Sequence, residues 1–473
     1  MEQITLRDLV FATQGQLLGD APEDTIITNA QSDNRKVGPG SVFFAFIGEN
    51  TDGHKYVDAA LDMGACGAVV SREPEEKKPG HFYVLVEDTI VAAGELAKWY
   101  RKKFDIPVIG VTGSVGKTTM KDMIASVLSQ KFNVLKTEAN FNNNIGLPRT
   151  ILRLSQETEM AVIEMGMNHM GEIDYLVRIA QPDCAVITNV GEAHIGNLGS
   201  RENIFKAKCE IFHGLKDGGF AVMNADDDYL PKLRDNQEMQ DRFTFTWVGE
   251  DDSAEWKAVD IQDTLQECVK FTMVSPKGRI PVIVPALGRH MIYPSLVAAA
   301  LGDHYGMTLE EIVAGIAAYV PTALRMEKVV LGQQITIYND TYNANPQSMK
   351  AGLTTLSNTI GETKVAVLGD MFELGDLEEE LHRGVGAVAA SLYRGNVNPV
   401  QGIDILVTVG ERAKYIADEA KKGGFAEIHA FDDVESAKPY LEQVTKANTV
   451  LYFKASHSMH LDQLAEFCKG IAE

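Results

Sequence analysis

From Ile106 to Thr119 the chain reads IPVIGVTGSVGKTT, an apolar run that enters a glycine-rich turn closing on Gly-Lys-Thr-Thr. Few architectures use such a turn, because it needs a strand end and a helix start to meet around a bound polyphosphate. Gly113 and Gly116 let the backbone N–H groups of Ser114 and Val115 crowd phosphate oxygens. Lys117 supplies a point charge, Thr118 offers a hydroxyl to a magnesium ion, and Thr119 completes the motif. ATP with Mg2+ is the expected ligand. The general phosphate-loop pattern carries a glycine five residues before Gly116, where this chain has Val111 with Gly110 one residue too early. The match is therefore the shorter G-x-x-G-K-T-T.

Around this turn, strands alternate with helices: IPVIGVTG, a helix from Lys117, AVIEMG, a helix from Gly171, CAVITNVG, a helix from Ser200, then GFAVMNAD. Alternation of this kind implies a parallel sheet with crossover helices. A β-like insert over about 241–285 and a helix near 291–302 follow. Before it, the runs SVFFAFIG, ACGAVVS and HFYVLVE and helical patterns at Tyr56–Met63 and Thr89–Tyr100 make a smaller α/β unit, with Lys98–Lys103 as a linker. After it, KVAVLGD, DILVTVG, EIHAFDD and TVLYFKAS restart a Rossmann-like pattern. The expected fold is α/β in three domains: 1–100, a central mostly parallel-sheet ATPase domain 101–322, and a Rossmann-like 323–473. The 473-residue length agrees with about three domains.

A formal charge of −22 argues against nucleic-acid binding, and it obliges any anionic substrate to be met by local positive charge and helix N-termini. Cys66, Cys184, Cys209, Cys268 and Cys468 are scattered without metal-ligand spacing and read as free thiols. No run reaches the roughly 20 apolar residues of a membrane span, and MEQITLRDLVFATQG lacks the pattern of a secretory signal. A cytoplasmic monomer without membrane insertion is expected.

Ligands of open parallel sheets gather at the carboxyl ends of strands. Glu164 ends one strand and His194 follows another, so their shared strand-end placement puts both beside the Lys117–Thr118 phosphate site as magnesium ligands, although alone Glu164 reads equally as a structural partner and His194 more often as a satisfied loop histidine. On the next helix Ile204, Lys208, Ile211, Phe212 and Leu215 share a stripe, while Lys206 points away. Lys208 is then either a lysine with a buried stem or an amine of lowered pKa, able to take up carbon dioxide as a metal-binding carbamate. In NFNNNIGLP, Asn142 and Asn143 either build a turn or bind a polar substrate near the γ-phosphate. NDTYNANPQSM offers Asp340, Tyr342, Asn343 and Asn345 as a further loop site. The acidic stretch GDMFELGDLEEELH reads as structural, with Asp376 capping a helix that Glu378–Glu380 complement.

The shortened glycine turn, the asparagine run before I-G-L-P, EMGMNHMGEI, NVGEAHIGNLGS, AKCEIF and NDTYNANPQSM occur in the order found in the Mur ligases, and the resemblance spans all three domains. SDNRKVGPGSVFFAFIGENTDGHKYVDAALDMGACGAVV resembles the family's UDP-substrate domain, with Asp33 and Arg35 in the substrate-binding motif. The resemblance implies an ATP- and Mg2+-dependent amide ligase. Its expected substrates are UDP-N-acetylmuramoyl-tripeptide and D-alanyl-D-alanine. Gly113 to Thr119 with Arg325 and Asp340 would bind ATP. Lys117, Glu164, His194 and Lys208 would be catalytic. Thr118, Glu164, His194 and carbamylated Lys208 would hold metal, and Asp33, Arg35, Asn142, Asn143, Tyr342, Asn343 and Asn345 would bind substrate. Met291 and Pro294 stand where the family has asparagines, and Ala455 and His457 where it has glycine and arginine. These departures motivate the alternatives of another acceptor, or of a non-catalytic nucleotide-binding regulator.

Overall fold

Runs of β-branched and aromatic residues punctuated by glycine and aspartate form mixed, mostly parallel sheets flanked by helices. The computed structural model describes residues 1–48, 51–263, 267–397 and 401–472. Its contacts gather into two units. One comprises Met1–Thr112, Phe132–Ala185 and Cys209–Phe220, and the other Gly113–Lys131, Val186–Lys208 and Ala221–Glu473.

In the first unit the three apolar runs become Ser41–Phe44, Gly67–Val70 and Phe82–Leu85. They form the centre of a five-stranded sheet with Asn29–Gln31 at one edge and antiparallel Gln16–Leu18 at the other. Phe43, Ala68, Val70 and Tyr83 pack its core with Val57, Ala60 and Leu61 of the helix Val57–Asp62. The expected linker at Lys98–Lys103 is instead the tied-down end of helix Thr89–Arg101. Arg101 is buried and donates to the carbonyls of Ala180, Phe104 and Ile106 at 3.0, 2.6 and 3.0 Å, and Tyr100 donates to Leu154 O at 2.7 Å. Arg101, within the run that resembled a solvated linker, thus satisfies backbone acceptors. Beyond them, Val108–Thr112, Met160–Glu164 and Val134–Lys136 form a parallel ladder. Helix Glu172–Ala180 starts on Glu210, whose carboxylate accepts from Gly171 N and Asp174 N at 2.7 and 3.1 Å.

In the second unit, helix Lys117–Leu128 buries Met120, Met123, Ile124, Val127 and Leu128, the stripe its spacing predicts. Burial of such side chains contributes about 1.5–3 kcal/mol each. Its packing partners are Ile292–His304 and Leu309–Ala317. The β-like insert is Thr244–Gly249, Trp256–Gln262, Val269–Ser275 and Gly278–Val284; the part of that expectation falling on 264–266 lies outside the described residues. A six-stranded sheet runs in the order Glu327–Leu331, Ile335–Asn339, Thr449–Lys454, Thr363–Gly369, Ile405–Val409, Glu427–Phe431, parallel except at its first pair. Asp376 does not cap a helix. It lies inside the 3-10 turn Gly375–Leu377, and helix Glu378–Ser391 begins without a side-chain cap, with Glu378, Glu379 and Glu380 in its first turn. Among the described residues no helix is long and apolar enough to cross a membrane, and none of the five cysteines is joined in a disulfide.

Candidate active site

The glycine turn starts where strand Val108–Thr112 stops. Val111 is fully buried in that strand and in register with Glu164, so the place of the absent glycine is still extended chain and the turn begins only at Gly113. Gly113 has φ 150°, and a Cβ there would stand 1.8 Å from Thr188 Oγ1; Gly116, at φ 78°, opens helix Lys117–Leu128. Segment 188–191 holds the loop in shape. Thr188 Oγ1 donates to Val115 O at 2.7 Å. Asn189 accepts Val115 N on Oδ1 at 3.0 Å, donates Nδ2 to Val115 O at 3.1 Å, and its carbonyl accepts Ser114 N at 3.1 Å. Ser114 Oγ accepts Gly191 N at 2.8 Å. Lys117 folds back to donate to Gly113 O at 2.8 Å, Thr118 is buried at the first turn of the helix, and Thr119 is half-buried beside it. A helix N-terminus behind a glycine turn favours anionic oxygens by its dipole and amides together. Asn189 did not stand out in the sequence, since nothing local in CAVITNVG distinguishes it from a strand-end asparagine.

Glu164 ends strand Met160–Glu164, 2% exposed, opposite a residue that precedes Gly113 by two positions in the chain. Asn142 Nδ2 donates to Glu164 Oε1 at 2.8 Å, and Thr137 Oγ1 accepts Glu164 N at 3.0 Å. Asn142 O accepts Gly166 N at 2.8 Å, and Gly166 lies so close that a Cβ there would meet Asn142 Oδ1 at 3.0 Å. The two asparagines make different contacts. Asn142 reaches a carboxylate, whereas exposed Asn143 makes a turn, accepting Ile145 N and Gly146 N on Oδ1 at 3.2 and 2.9 Å ahead of helix Gly146–Ile151.

Lys208 is buried on helix Arg201–Cys209 with Ile204 and Ala207, while Lys206 is exposed. His194 stands at φ 64° at the start of helix Ile195–Leu198, its Nδ1 2.6 Å from Glu373 Oε2, with the ring N–H off the line to that oxygen. The ring holds the Glu373 carboxyl below its ordinary range although burial works the other way. Glu373 lies in the acidic stretch that the sequence assigns to structure alone; its contact is with a residue far away in the chain, which no local pattern announces.

In the last sheet Asp340 accepts Lys454 Nζ at 2.6 Å, Tyr452 OH at 3.1 Å and Met326 N at 3.2 Å, and Lys454 also donates to Asn343 O at 3.0 Å. Arg325 lies 4.1 Å over the ring of Tyr342, and the His457 ring stands 5.8 Å from that of Tyr342. Asn343 Oδ1 accepts Ala344 N, and Asn345 caps helix Pro346–Ser357 with Ser348 in a reciprocal box. In the first unit Asp33 and Arg35 form an exposed bidentate pair at 2.9 Å that pulls the Asp33 carboxyl down to about 2. Among the described residues, no group of three or more His, Cys, Asp or Glu gathers as a metal cage.

Comparison with known proteins covers nearly the whole chain. Residues 26–110 match the Mur ligase family catalytic domain, 111–302 the Mur ligase middle domain, and 324–457 the Mur ligase glutamate ligase domain. The chain belongs to the Mur ligases. This Mur ligase is similar to the UDP-N-acetylmuramoyl-tripeptide--D-alanyl-D-alanine ligase of Bacillus subtilis (strain 168), at 36% identity over 98% of this chain and 97% of that protein. The enzyme of the same name from Escherichia coli (strain K12) is 37% identical over 89% of each. Among solved structures, MurF from Acinetobacter baumannii superposes with a TM-score of 0.90 at 32% identity, covering 99% of both chains. The MurF ligase from Thermotoga maritima in complex with ADP gives 0.81 at 26%, covering 94% of this chain and 97% of that one. The chain is thus an ATP-dependent peptide ligase that forms a C–N bond.

The departures from the family pattern have structural counterparts. Met291 and Pro294 are both buried at the start of helix Ile292–His304. Ala455 is buried against Gly369, where a side chain would come within 2.7 Å of its methyl group. His457 is exposed beside Tyr342.

Proposed function

We propose that this Mur ligase joins D-alanyl-D-alanine to UDP-N-acetylmuramoyl-tripeptide at the expense of ATP, as a cytoplasmic monomer, with domains at 1–100, 101–322 and 323–473. The observation that carries the reading is the glycine turn braced by Asn189, in a chain whose full length matches ligases of that name. Lys117 and the amides of Ser114 to Thr119 bind the ATP phosphates, and Asp33 and Arg35 bind the UDP part of the donor. Arg325 and Asp340 contact the nucleotide. Tyr342, Asn343 and Asn345 join Asn142 in holding the peptide substrates, and Asn143 shapes the turn that carries Asn142.

The residues present suit magnesium. It takes hard oxygen ligands and commonly only one or two carboxylates plus substrate phosphates and water, so the absence of a three-residue acidic cage among the described residues is compatible with it. Thr118 and Glu164 would hold one ion, His194 and Lys208 as a carbamate a second. Bound there, magnesium would offset the negative charge of the phosphates. The tripeptide carboxylate attacks the γ-phosphorus, ADP leaves, and the acyl phosphate so formed is attacked by the amine of the dipeptide. The tetrahedral adduct collapses to the amide and releases phosphate. Lys117 neutralises charge on the transferred phosphoryl group, and positioning of carboxylate and amine supplies much of the remaining acceleration.

Ala455 does not require a different acceptor, since Gly369 makes the room its methyl group needs. The test is to incubate the protein with the tripeptide, ATP, Mg2+ and D-alanyl-D-alanine or other amino acids and to weigh the products. Appearance of the pentapeptide with D-alanyl-D-alanine supports the reading. Product with another acceptor only, or nucleotide binding without turnover, replaces it with the divergent ligase or the regulator.

A further inference from the structure

His194 and Glu373 share an unusual backbone state. Both have φ 64°, in the left-handed region that non-glycine residues rarely adopt and that persists where surrounding structure enforces it. Their backbones also meet, with Gly196 N donating to Glu373 O at 3.2 Å. Two glycines make that approach feasible: a Cβ on Gly196 would lie 2.6 Å from Gly375 N, and one on Gly375 would lie 2.8 Å from Gly196 Cα. The segment carrying Glu373 is itself fixed, since Met371 N donates to His382 Nε2 at 3.0 Å and Phe372 N to Ser456 Oγ at 2.9 Å, while Met371 and Leu374 are buried. An ordinary surface ion pair has no need of two left-handed residues and two facing glycines. The two segments are shaped to bring one carboxylate to one imidazole.

We propose that Glu373 is a positioning residue whose carboxylate holds the His194 ring through Nδ1, leaving Nε2 as the nitrogen with the lone pair for the ATP site. Nδ1 and Oε2 are already 2.6 Å apart, so that rotation of the ring, with no movement of the chain, is what would turn the N–H towards the oxygen. A ligating histidine commonly has its other nitrogen fixed in this way by a carboxylate, which sets tautomer and ring orientation together. The inference rests on the role proposed above for His194.

The test compares wild type, Glu373→Gln, Glu373→Ala, Gly196→Ala and His194→Gln as full-length proteins. Spectra of ¹⁵N-histidine-labelled samples without nucleotide or metal, with the His194 signals assigned by their loss in His194→Gln, report which ring nitrogen carries the proton. Wild type should show Nδ1–H at His194. Glu373→Ala and Gly196→Ala should shift it towards the Nε2–H form, the second by separating the segments without removing a charge. Glu373→Ala should lower kcat about 10- to 100-fold, the range typical of lost outer partners, and raise the Mg2+ concentration for half-maximal rate, while KM for the dipeptide stays within twofold. An unchanged tautomer in Glu373→Ala with kcat within twofold of wild type overturns the proposal, provided His194→Gln is inactive. An active His194→Gln overturns the reading of the site itself. Glu373 is half-exposed, so Glu373→Gln serves as the folding-neutral variant, and thermal unfolding should leave it near wild type.

Discussion

The side-chain amide of Asn142 donates to Glu164 Oε1 at 2.8 Å, linking the loop before helix Gly146–Ile151 to a carboxylate that is 2% exposed. A buried carboxylate depends on its hydrogen-bond donors, and a bond to a charged group contributes about 1.5–3 kcal/mol. Asn142→Ala should therefore lower kcat by roughly ten- to a hundredfold if the same bond fixes Glu164 for catalysis. Asn143→Ala, which removes only turn contacts, should cost less than threefold in rate, about 0.6 kcal/mol. Steady-state kinetics of the two variants checks the difference, and equal losses would mean that Asn142 has no special part.

Asn189 makes two side-chain hydrogen bonds to Val115, so its replacement should loosen the phosphate loop before any nucleotide arrives. Each neutral bond contributes about 0.5–1.5 kcal/mol, and Asn189→Ala should weaken ADP binding by about tenfold or more. Calorimetric titration with ADP measures this directly. Affinity equal to wild type would show that the loop keeps its shape without the brace.

Lys208→Met should abolish most activity while the chain stays folded, and Lys206→Ala should keep at least half of the wild-type rate. If the buried amine acts as a carbamate, wild type at mildly acidic pH should gain activity on addition of bicarbonate, and the variant should not. Kinetics with circular dichroism as the folding control makes the comparison. Similar losses at both lysines would contradict the assignment of the buried face.

Burial pulls the Lys364 ammonium down to about 8, with Arg394 acting in the same direction. Its Nζ donates to Ser357 O at 2.8 Å. An unfolded lysine keeps its proton to about 10.4, so between these values the unfolded chain binds more protons than the native one. Stability contributed by this group therefore rises with pH across that window. The Tm of wild type minus that of Lys364→Met should be larger at pH 9.5 than at pH 7. A difference independent of pH would show that Lys364 ionises alike in both states.

The parts of the site that lie within a few residues of one another were legible in the sequence. The turn from Gly113 to Thr119 announces itself by glycines at fixed offsets, and the stripe through Ile204 and Lys208 separates the buried from the exposed lysine by helical geometry alone. Val111 could be seen as a departure from the pattern, but its reason, continued pairing of the strand with Glu164, needed the register. Asn189 and Glu373 were not legible, because their partners are remote: Asn189 braces Val115 across 74 positions, and Glu373 meets His194 through a stretch that locally looks like the acidic start of a helix. Lys98–Lys103 misled for a related reason, since a basic run is a solvated linker unless distant carbonyls, here those reached by Arg101, take up its donors.

Transfer of oxygen from carboxylate to phosphate tests the central claim most directly. UDP-N-acetylmuramoyl-tripeptide labelled with ¹⁸O in its terminal carboxylate, turned over with ATP and D-alanyl-D-alanine, should give inorganic phosphate carrying one ¹⁸O for each amide formed, as measured by mass spectrometry. Unlabelled phosphate accompanying amide formation, or ADP release that does not depend on the tripeptide, would contradict it.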